Sequence, residues 1–388
     1  MAMLEHAPPE QAGFLPERLA LLDERVGDWV EQGLSLATSV LVARHGKIAF
    51  EKAYGKFSDE PDSRPLAIDD IHFLASIQKV FTATAVMMCV ERGVIDLNVP
   101  ITDYLPEVPS EWGDKILVHY LLTHTSGYLE PEQEDLMAMM QGRVEVPPCP
   151  PGQAEFFHRY LTVALRTKPI KKPSTQNIYS NMNFNFLAEI LRRASGRRID
   201  EFMYEHILGP LGMNSSFIPP ADAPESRLMS RRAMEVNERV REVRKVTPMG
   251  DAGLVSTTGD LAIFCQTFLN GGTYGDVKLL APTTVAEMTR NQIPGIGATT
   301  MDGIHIKEAT WGLGWMVQGD ARWRYGHGTL QPVGTYYHQG GSGSAIWVDP
   351  HHGIVSVFLS TARAFTGYEI SWDFDLFQNL VMSALDDR

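Results

Sequence analysis

Residues 71–93 read IHFLASIQKVFTATAVMMCVERG, and the fold class can be argued from this stretch outward. The opening IHFLA is typical of a short strand. Between Lys79 and Glu91 there is no charged residue and no proline. A helix that is apolar on all sides is normally buried. The stretch therefore predicts a strand that passes into a buried helix near Ser76.

Ser76 and Lys79 form an S-x-x-K motif at the start of that helix. One helical turn separates them, so both side chains share a face beside the free N–H groups and the positive end of the helix dipole. Burial disfavours a charged ammonium, and a desolvated lysine next to a serine hydroxyl can act as its general base. A helix-capping serine with a lysine that reaches to solvent also explains the motif.

The N-terminal region predicts a helix followed by a β-hairpin. Residues 15–33 have proline at a helix-entry position, an apolar stripe at helical spacing and a stop at Gly33. The stripe consists of Leu19, Leu22, Val26 and Val30. Two β-rich runs then flank His45-Gly46, which is a two-residue turn with glycine.

The C-terminal region returns to strand character and ends in a helical pattern. The strand-like runs are WGLGWMV (311–317), TYYHQGGSGSAIWVDP (335–350) and GIVSVFLST (353–361), and the helical run covers 374–385. We expect an α/β protein of the α+β type, in which an antiparallel sheet is flanked by N- and C-terminal helices and carries a large, mostly helical insertion. The expected domains are 1–80 with 300–388, and 81–299, with the active site between them.

Two later motifs add groups suited to acyl transfer. Tyr179-Ser180-Asn181 precedes a helical run, and a tyrosine can relay a proton while an asparagine amide binds a lysine or a carbonyl. This cluster also fits a helix cap. The segment 338–343, HQGGSG, has glycines that permit close approach of a ligand, and the N–H of Gly341 can complete an oxyanion hole with that of Ser76. A glycine-rich bulge is the alternative.

In this order, S-x-x-K, Y-x-N and a late H-x-G, the motifs resemble the serine β-lactamase and penicillin-recognising superfamily. The tyrosine is similar to the class C branch, with its family VIII-type carboxylesterases and D-aminopeptidase-like hydrolases. Further similar stretches are LLTHTSG (121–127), LGPLGM (208–213), GLVSTTGD (253–260) and WGLGW (311–315). The resemblance covers residues 15–385 and implies a β-lactamase/transpeptidase-like fold.

The resemblance also implies catalytic roles. Ser76 is the nucleophile that forms an acyl-enzyme, and Lys79 takes its proton. Tyr179 protonates the leaving group and helps to activate the deacylating water. Asn181 supports Lys79.

The late strand departs from the usual pattern of the superfamily. The resemblance places His338, Gly340 and Gly341 at the substrate-binding strand and oxyanion hole. β-Lactamases and transpeptidases usually have lysine where this chain has His338, and that cation helps to hold a carboxylate. A histidine is mostly neutral at pH 7. We therefore expect a carboxylesterase for small-to-medium acyl esters; a D-stereospecific amidase or peptidase, a β-lactamase, an acyltransferase and a slow penicillin-binding protein are the alternatives.

Residues 129–174 separate the first two motifs and are rich in methionine, phenylalanine and proline. In class C-like esterases and acyltransferases this region often shapes the acyl pocket or a lid. A surface excursion with its own small core, or a docking surface for an acyl carrier, fits the composition as well.

Composition limits the other classes of function. The 388 residues include 34 lysines and arginines against 47 aspartates and glutamates, a net charge of −13 that argues against nucleic-acid and membrane partners. Three scattered cysteines and the absence of H-E-x-x-H argue against a disulfide framework and a metal site. We expect a cytoplasmic enzyme without a cofactor that acts on a small ester or amide; the sequence does not indicate its oligomeric state.

Overall fold

The computed structural model describes residues 3–229, 246–299, 304–320, 328–362 and 372–386. Within this part of the chain, the largest sheet has seven strands drawn from both chain ends. Their spatial order is β1 (Glu5–His6), β3 (Lys47–Gly55), β2 (Ser35–Arg44), β13 (Ile354–Ala362), β12 (Ser344–Asp349), β11 (Tyr336–Gly340) and β10 (Met316–Val317). Neighbours are antiparallel except for the parallel pair β1–β3. The mixed α/β architecture with a mainly antiparallel sheet is the predicted one.

The predicted hairpin joins β2 to β3 through His45 and Gly46. Both residues have positive φ, 51° and 82°. Two consecutive left-handed residues match the right-handed twist of the flanking strands, which is why such turns favour glycine.

Smaller strand pairs are β4 (His72–Phe73) with β5 (Val255–Ser256), β6 (Thr273–Tyr274) with β7 (Val277–Lys278), and β8 (Ala298–Thr299) with β9 (His305–Ile306).

The two faces of the sheet belong to different cores because strand side chains alternate. Val40 and Val42 of β2 lie in the core beneath α1 (Pro16–Glu31) and α11 (Trp372–Ser383). Leu41, between them, lies in the larger core on the opposite face, which also contains side chains of α9 (Thr258–Leu269). The terminal helices therefore cover one face, as predicted from both ends of the sequence.

The region between the two chain ends is mostly helical. Its helices are α2 (Gln78–Glu91), α3 (Ser110–Gly113), α4 (Val118–Leu122), α5 (Gln133–Met140), α6 (Glu155–Ala164), α7 (Asn181–Ser195), α8 (Ile199–Met203), α9 and α10 (Pro282–Thr289). Every residue of α2 from Gln78 to Cys89 is buried, and α2 packs against α7. None of the helices in the described part of the chain has the length and apolarity to cross a membrane.

Three local predictions were wrong. Trp29, not Val30, completes the buried stripe of α1. In WGLGWMV only Met316–Val317 is a strand, because Gly314 turns with φ +83° and lies so close to α2 that an added Cβ would be 2.3 Å from Ala83 Cβ. The run 335–350 is interrupted by a turn at 341–343, closed by the N–H of Gly343 donating to the Gly340 carbonyl at 3.0 Å.

Phe358 offers a test of the core under the terminal helices. It is 1% exposed and its ring lies 5.8 Å from that of Phe374 and 5.2 Å from that of Phe377. Phe358→Ala should reduce the free energy of unfolding by about 3–5 kcal/mol through lost burial and a cavity. Leu376→Ala is the control, because Leu376 is 42% exposed on α11 and should change stability by at most about 0.5 kcal/mol. Urea unfolding would measure both; equal midpoints would contradict this packing.

Candidate active site

Ser76 lies where a short strand gives way to the buried helix α2. Strand β4 pairs with β5, and the N–H of Leu74 donates to the carbonyl of Leu254 at 3.2 Å. Ala75 then has φ +49°, a left-handed conformation that a residue with a Cβ seldom adopts. This turn leads into a single 3-10 turn, Ala75–Ile77, and then into α2. Ser76 is thus half-buried at the N-terminal entry of the helix, as the sequence predicted.

Lys79 is fully buried, and oxygen atoms surround its amine. Its Nζ lies 3.0 Å from Ser76 Oγ, 2.8 Å from Asn181 Oδ1 and 3.0 Å from the carbonyl oxygen of Asp251. A charged ammonium can donate to all three oxygens, whereas a neutral amine can donate to Asn181 and Asp251 and accept the hydroxyl proton of Ser76. The arrangement therefore suits a group that removes a proton from Ser76 and then holds it.

Tyr179 lies beside the same amine, and its ring is fixed by other aromatic groups. Lys79 Nζ is 5.1 Å from the ring centroid of Tyr179. The imidazole of His124 stacks on this ring at 4.4 Å, and the indole of Trp311 meets it edge-on at 5.9 Å. The predicted second motif is therefore in place around Lys79, with Asn181 in direct contact and Tyr179 alongside.

His124 makes hydrogen bonds that hold the backbone around the start of α7. Its Nδ1 accepts the backbone N–H of Ser180 at 3.1 Å, and it lies 3.3 Å from Nδ2 of Asn183. Burial, reinforced by the positive charge of Lys79, holds the pKa of His124 well below its ordinary value. A neutral imidazole is required here, because a protonated Nδ1 could not accept the Ser180 N–H.

His338 is buried in β11 and is neutral at physiological pH. Its Nδ1 lies 2.8 Å from the carbonyl oxygen of Gln339, which can only accept, so Nδ1 carries the proton. Burial, and then the charge of Lys79, lower the pKa of His338 to about 3. The ring of Trp311 lies 6.2 Å away, edge-on, and so links His338 to the Tyr179 and His124 rings.

Gly340 brings β11 against the backbone that precedes the serine. A Cβ built on Gly340 would be 2.0 Å from the carbonyl oxygen of Leu74, so no other residue fits without displacement. Gly341 follows in the turn after β11 and is half-buried. This close approach places β11 beside the backbone that leads into Ser76; the oxyanion-hole role of Gly341 stays a prediction.

The loop 249–254, whose role the sequence did not reveal, supplies the third oxygen for Lys79. Gln78 Nε2 donates to the carbonyl of Met249, and Gln78 Oε1 accepts the N–H of Leu254 at 2.7 Å. Thr82 Oγ1 donates to the carbonyl of Gly250 at 2.7 Å. Three hydrogen bonds between α2 and the loop thus fix the Asp251 carbonyl. The available signal was the presence of the polar residues Gln78 and Thr82 in a largely apolar helix.

Glu130 is the other residue that the sequence did not single out. Its Oε1 lies 2.5 Å from the backbone nitrogen of Asn181, and the N–H of Met182 also donates to this carboxylate. Burial and the neighbouring Asp251 raise the pKa of Glu130, while these N–H groups and Lys79 oppose that rise. A carboxylate 51 positions away in the chain thus occupies the start of α7.

Comparison with known proteins identifies the family. The model of the beta-lactamase family matches residues 22–377, most of the chain. The chain belongs to the beta-lactamase family. Members of this family are serine hydrolases, which supports a hydrolase assignment for this member.

Individual relatives of this beta-lactamase family member are distant but cover nearly the full chain. A protein of Escherichia coli strain K12, provisionally named a D-alanyl-D-alanine carboxypeptidase, is 27% identical over 394 residues, covering 92% of this chain and 85% of its own. Simvastatin synthase of Aspergillus terreus superposes with a TM-score of 0.73 at 17% identity, covering 96% and 99% of the two chains. A family VIII carboxylesterase gives a TM-score of 0.70 at 19% identity, covering 90% and 93%. At these identities the two structures show a shared fold.

The contact between Gly340 and Leu74 generates a prediction about the nucleophile. Gly340→Ala should slow the labelling of Ser76 by a fluorophosphonate probe at least about tenfold, because the added Cβ forces β11 away from the backbone before Ser76. Gly259→Ala in α9 is the control, since nothing lies within 4 Å of that Cβ position. Equal labelling rates for Gly340→Ala and Gly259→Ala would refute the proposed tight placement.

Proposed function

We propose that this protein is a carboxylesterase that transfers small-to-medium acyl groups from esters to water through an acyl-enzyme on Ser76. The observation that carries the ester assignment is the neutral, buried His338 at the position where related enzymes usually have a lysine cation. The direct contact between Lys79 and Ser76 supports the nucleophile.

Acylation uses the contacts around Lys79. As Ser76 Oγ attacks the ester carbonyl carbon, its proton passes to Lys79 Nζ, 3.0 Å away. The carbonyl oxygen becomes an oxyanion, which the N–H groups of Ser76 and Gly341 stabilise. Asn181 Oδ1 and the Asp251 carbonyl hold the new ammonium, since each lies within 3.0 Å of Nζ. Collapse of the intermediate breaks the bond to the alkoxide leaving group.

Tyr179 completes both half-reactions in this proposal. The phenol donates its proton to the departing alcohol oxygen and regains one from the ammonium of Lys79, whose Nζ lies 5.1 Å from the ring centroid. In deacylation the same pair takes a proton from a water molecule as that water attacks the acyl carbonyl. Ser76 leaves with a proton returned from Lys79, and the free acid is released.

The charges around Lys79 favour a substrate without a carboxylate near the reacting carbonyl. His338 can offer a hydrogen-bonding nitrogen but no cationic charge at physiological pH. Glu130 and Asp251 are acidic groups near Lys79, and the charges of Asp251 and Lys79 both act on the pKa of Glu130. An anionic substrate would gain little from these groups, whereas an ester carbonyl needs only hydrogen bonds.

The closest rival is an amidase or peptidase with the same acyl-enzyme chemistry. Relatives that are 27% identical carry a carboxypeptidase name, which supports this rival. An acyltransferase would use the same first half-reaction with another acceptor, and a β-lactamase would need to accept a substrate carboxylate. The rivals therefore differ in leaving group, acceptor or substrate charge rather than in the role of Ser76.

The first test compares esters with a β-lactam on the purified protein. We expect rapid hydrolysis of p-nitrophenyl esters between acetate and octanoate, slow or no opening of a chromogenic cephalosporin, and loss of ester turnover by at least about 1,000-fold in Ser76→Ala. Rapid cephalosporin turnover would favour the β-lactamase alternative. Full ester turnover by Ser76→Ala would overturn the assignment of the nucleophile.

The role of His338 can be tested with two substrates that differ by one charge. Phenyl butyrate and 3-carboxyphenyl butyrate share an acyl group, but only the second has an anionic leaving group. His338→Lys should raise the preference for 3-carboxyphenyl butyrate, measured as the ratio of kcat/KM values, by about tenfold, because it introduces a cation. His338→Gln is the neutral control and should leave the ratio near that of the unmodified protein. An unchanged ratio in His338→Lys would contradict the proposed basis of selectivity.

A further inference from the structure

Glu130 occupies the position of a helix cap although it is remote from α7 in sequence. The local N-cap residue, Ser180, makes no side-chain capping bond, and its Oγ has no partner within the described part of the chain. The N–H groups of Asn181 and Met182 instead donate to the Glu130 carboxylate. A carboxylate at this end also interacts favourably with the helix dipole. Glu130 therefore fixes the first residue of α7, which is the residue that holds Lys79.

The same carboxylate interacts with the charge of the catalytic amine. The groups that face it are Lys79 of α2, Asp251 of the loop 249–254, and the N–H groups at the start of α7. Lys79 favours the ionised form of Glu130, and Asp251 disfavours it. By reciprocity, an ionised Glu130 stabilises positive charge on Lys79, and this charge develops when Ser76 loses its proton.

We propose that Glu130 is a positioning residue for the acylation step: it orients Asn181 through the start of α7 and stabilises the ammonium that forms on Lys79. This inference rests on the proposed role of Ser76 as the acylated nucleophile. Glu130 touches no reacting atom and acts through Asn181 and Lys79.

The stability of the fold argues that the charge of Glu130 is kept for function. The net effect of its surroundings raises the pKa of Glu130, chiefly through burial. A carboxyl group whose pKa is higher in the folded chain than in the unfolded chain favours folding in its protonated form, and this contribution is lost as the pH rises through the folded pKa. A glutamine keeps an oxygen that can accept the Asn181 N–H without the cost of a buried charge. Glu130→Gln should therefore be at least as stable as the unmodified protein at pH 7.5.

The experiment measures the second-order rate of Ser76 phosphonylation by a fluorophosphonate between pH 5 and 9. The serine oxygen displaces fluoride from phosphorus, and Lys79 takes the proton, so the natural substrate need not be known. We expect Glu130→Gln to react at least about tenfold more slowly on the alkaline plateau. The deficit should shrink as the pH falls toward the raised pKa of Glu130, because a protonated carboxyl group resembles the amide of glutamine.

Two variants separate charge, capping and general damage. Glu130→Ala removes both the charge and the cap, so it should react more slowly still and unfold at a lower urea concentration. Glu132→Gln is the matched control, because Glu132 is an exposed acidic residue two positions away whose side chain makes no capping bond. It should match the unmodified protein in rate and stability.

The outcomes distinguish the two proposals. If the unmodified protein is not phosphonylated, or if Ser76→Ala is phosphonylated equally, the proposed nucleophile is wrong whatever Glu130 does. If Ser76 reacts but Glu130→Gln has the unmodified rate, or a deficit that is the same at every pH, the charge of Glu130 does not act on Lys79. A lower urea midpoint for Glu130→Gln would likewise overturn the inference, since it would make the carboxylate a structural group.

Discussion

Lys79 Nζ is an amine without access to solvent, and the fold must supply its hydrogen-bond partners. A buried polar group without partners costs free energy, and a buried charge costs more. The partners come from Ser76 one turn earlier in the chain, from Asn181 at the start of α7, and from the carbonyl of Asp251. The packing of α2 against α7 and the path of the loop 249–254 are therefore constrained by one side chain.

The loop is held so closely that its backbone, rather than its side chains, serves the site. A Cβ on Gly250 would be 2.1 Å from the carbonyl oxygen of Phe184 in α7, and the N–H of Gly250 donates to Asn185 Oδ1 at 3.0 Å. Thr82 of α2 binds the carbonyl of the same glycine. Helices α7 and α2 thus both contact Gly250 and fix the path of the loop 249–254.

Signals that depend on a few neighbouring residues predicted structure well, whereas signals that depend on distant contacts did not. The hairpin at His45 and Gly46 follows from local backbone freedom, and the S-x-x-K spacing follows from helical geometry. The run around Gly314 has strand composition, but its turn is decided by contact with α2. Glu130 and Asp251 reach Lys79 from separate loops, and a backbone carbonyl partner leaves no trace in the residue type. Gln78 and Thr82 indicate in the sequence that α2 binds a polar segment, but which residues lie near Lys79 follows only from the fold.

The burial that surrounds Lys79 also bears on the charge of the proposed substrate. His124 and His338 both have their pKa lowered by burial and by the positive charge of Lys79. A lysine at position 338 would place its charge near the ammonium that forms on Lys79, and like charges in a region of low dielectric repel strongly. A neutral imidazole avoids that conflict, so positive charge can accumulate on Lys79 when Ser76 is deprotonated. As a consequence, position 338 offers no cation that could bind a substrate carboxylate. On this argument, the proposed activation of Ser76 and the proposed preference for neutral esters have the same physical origin.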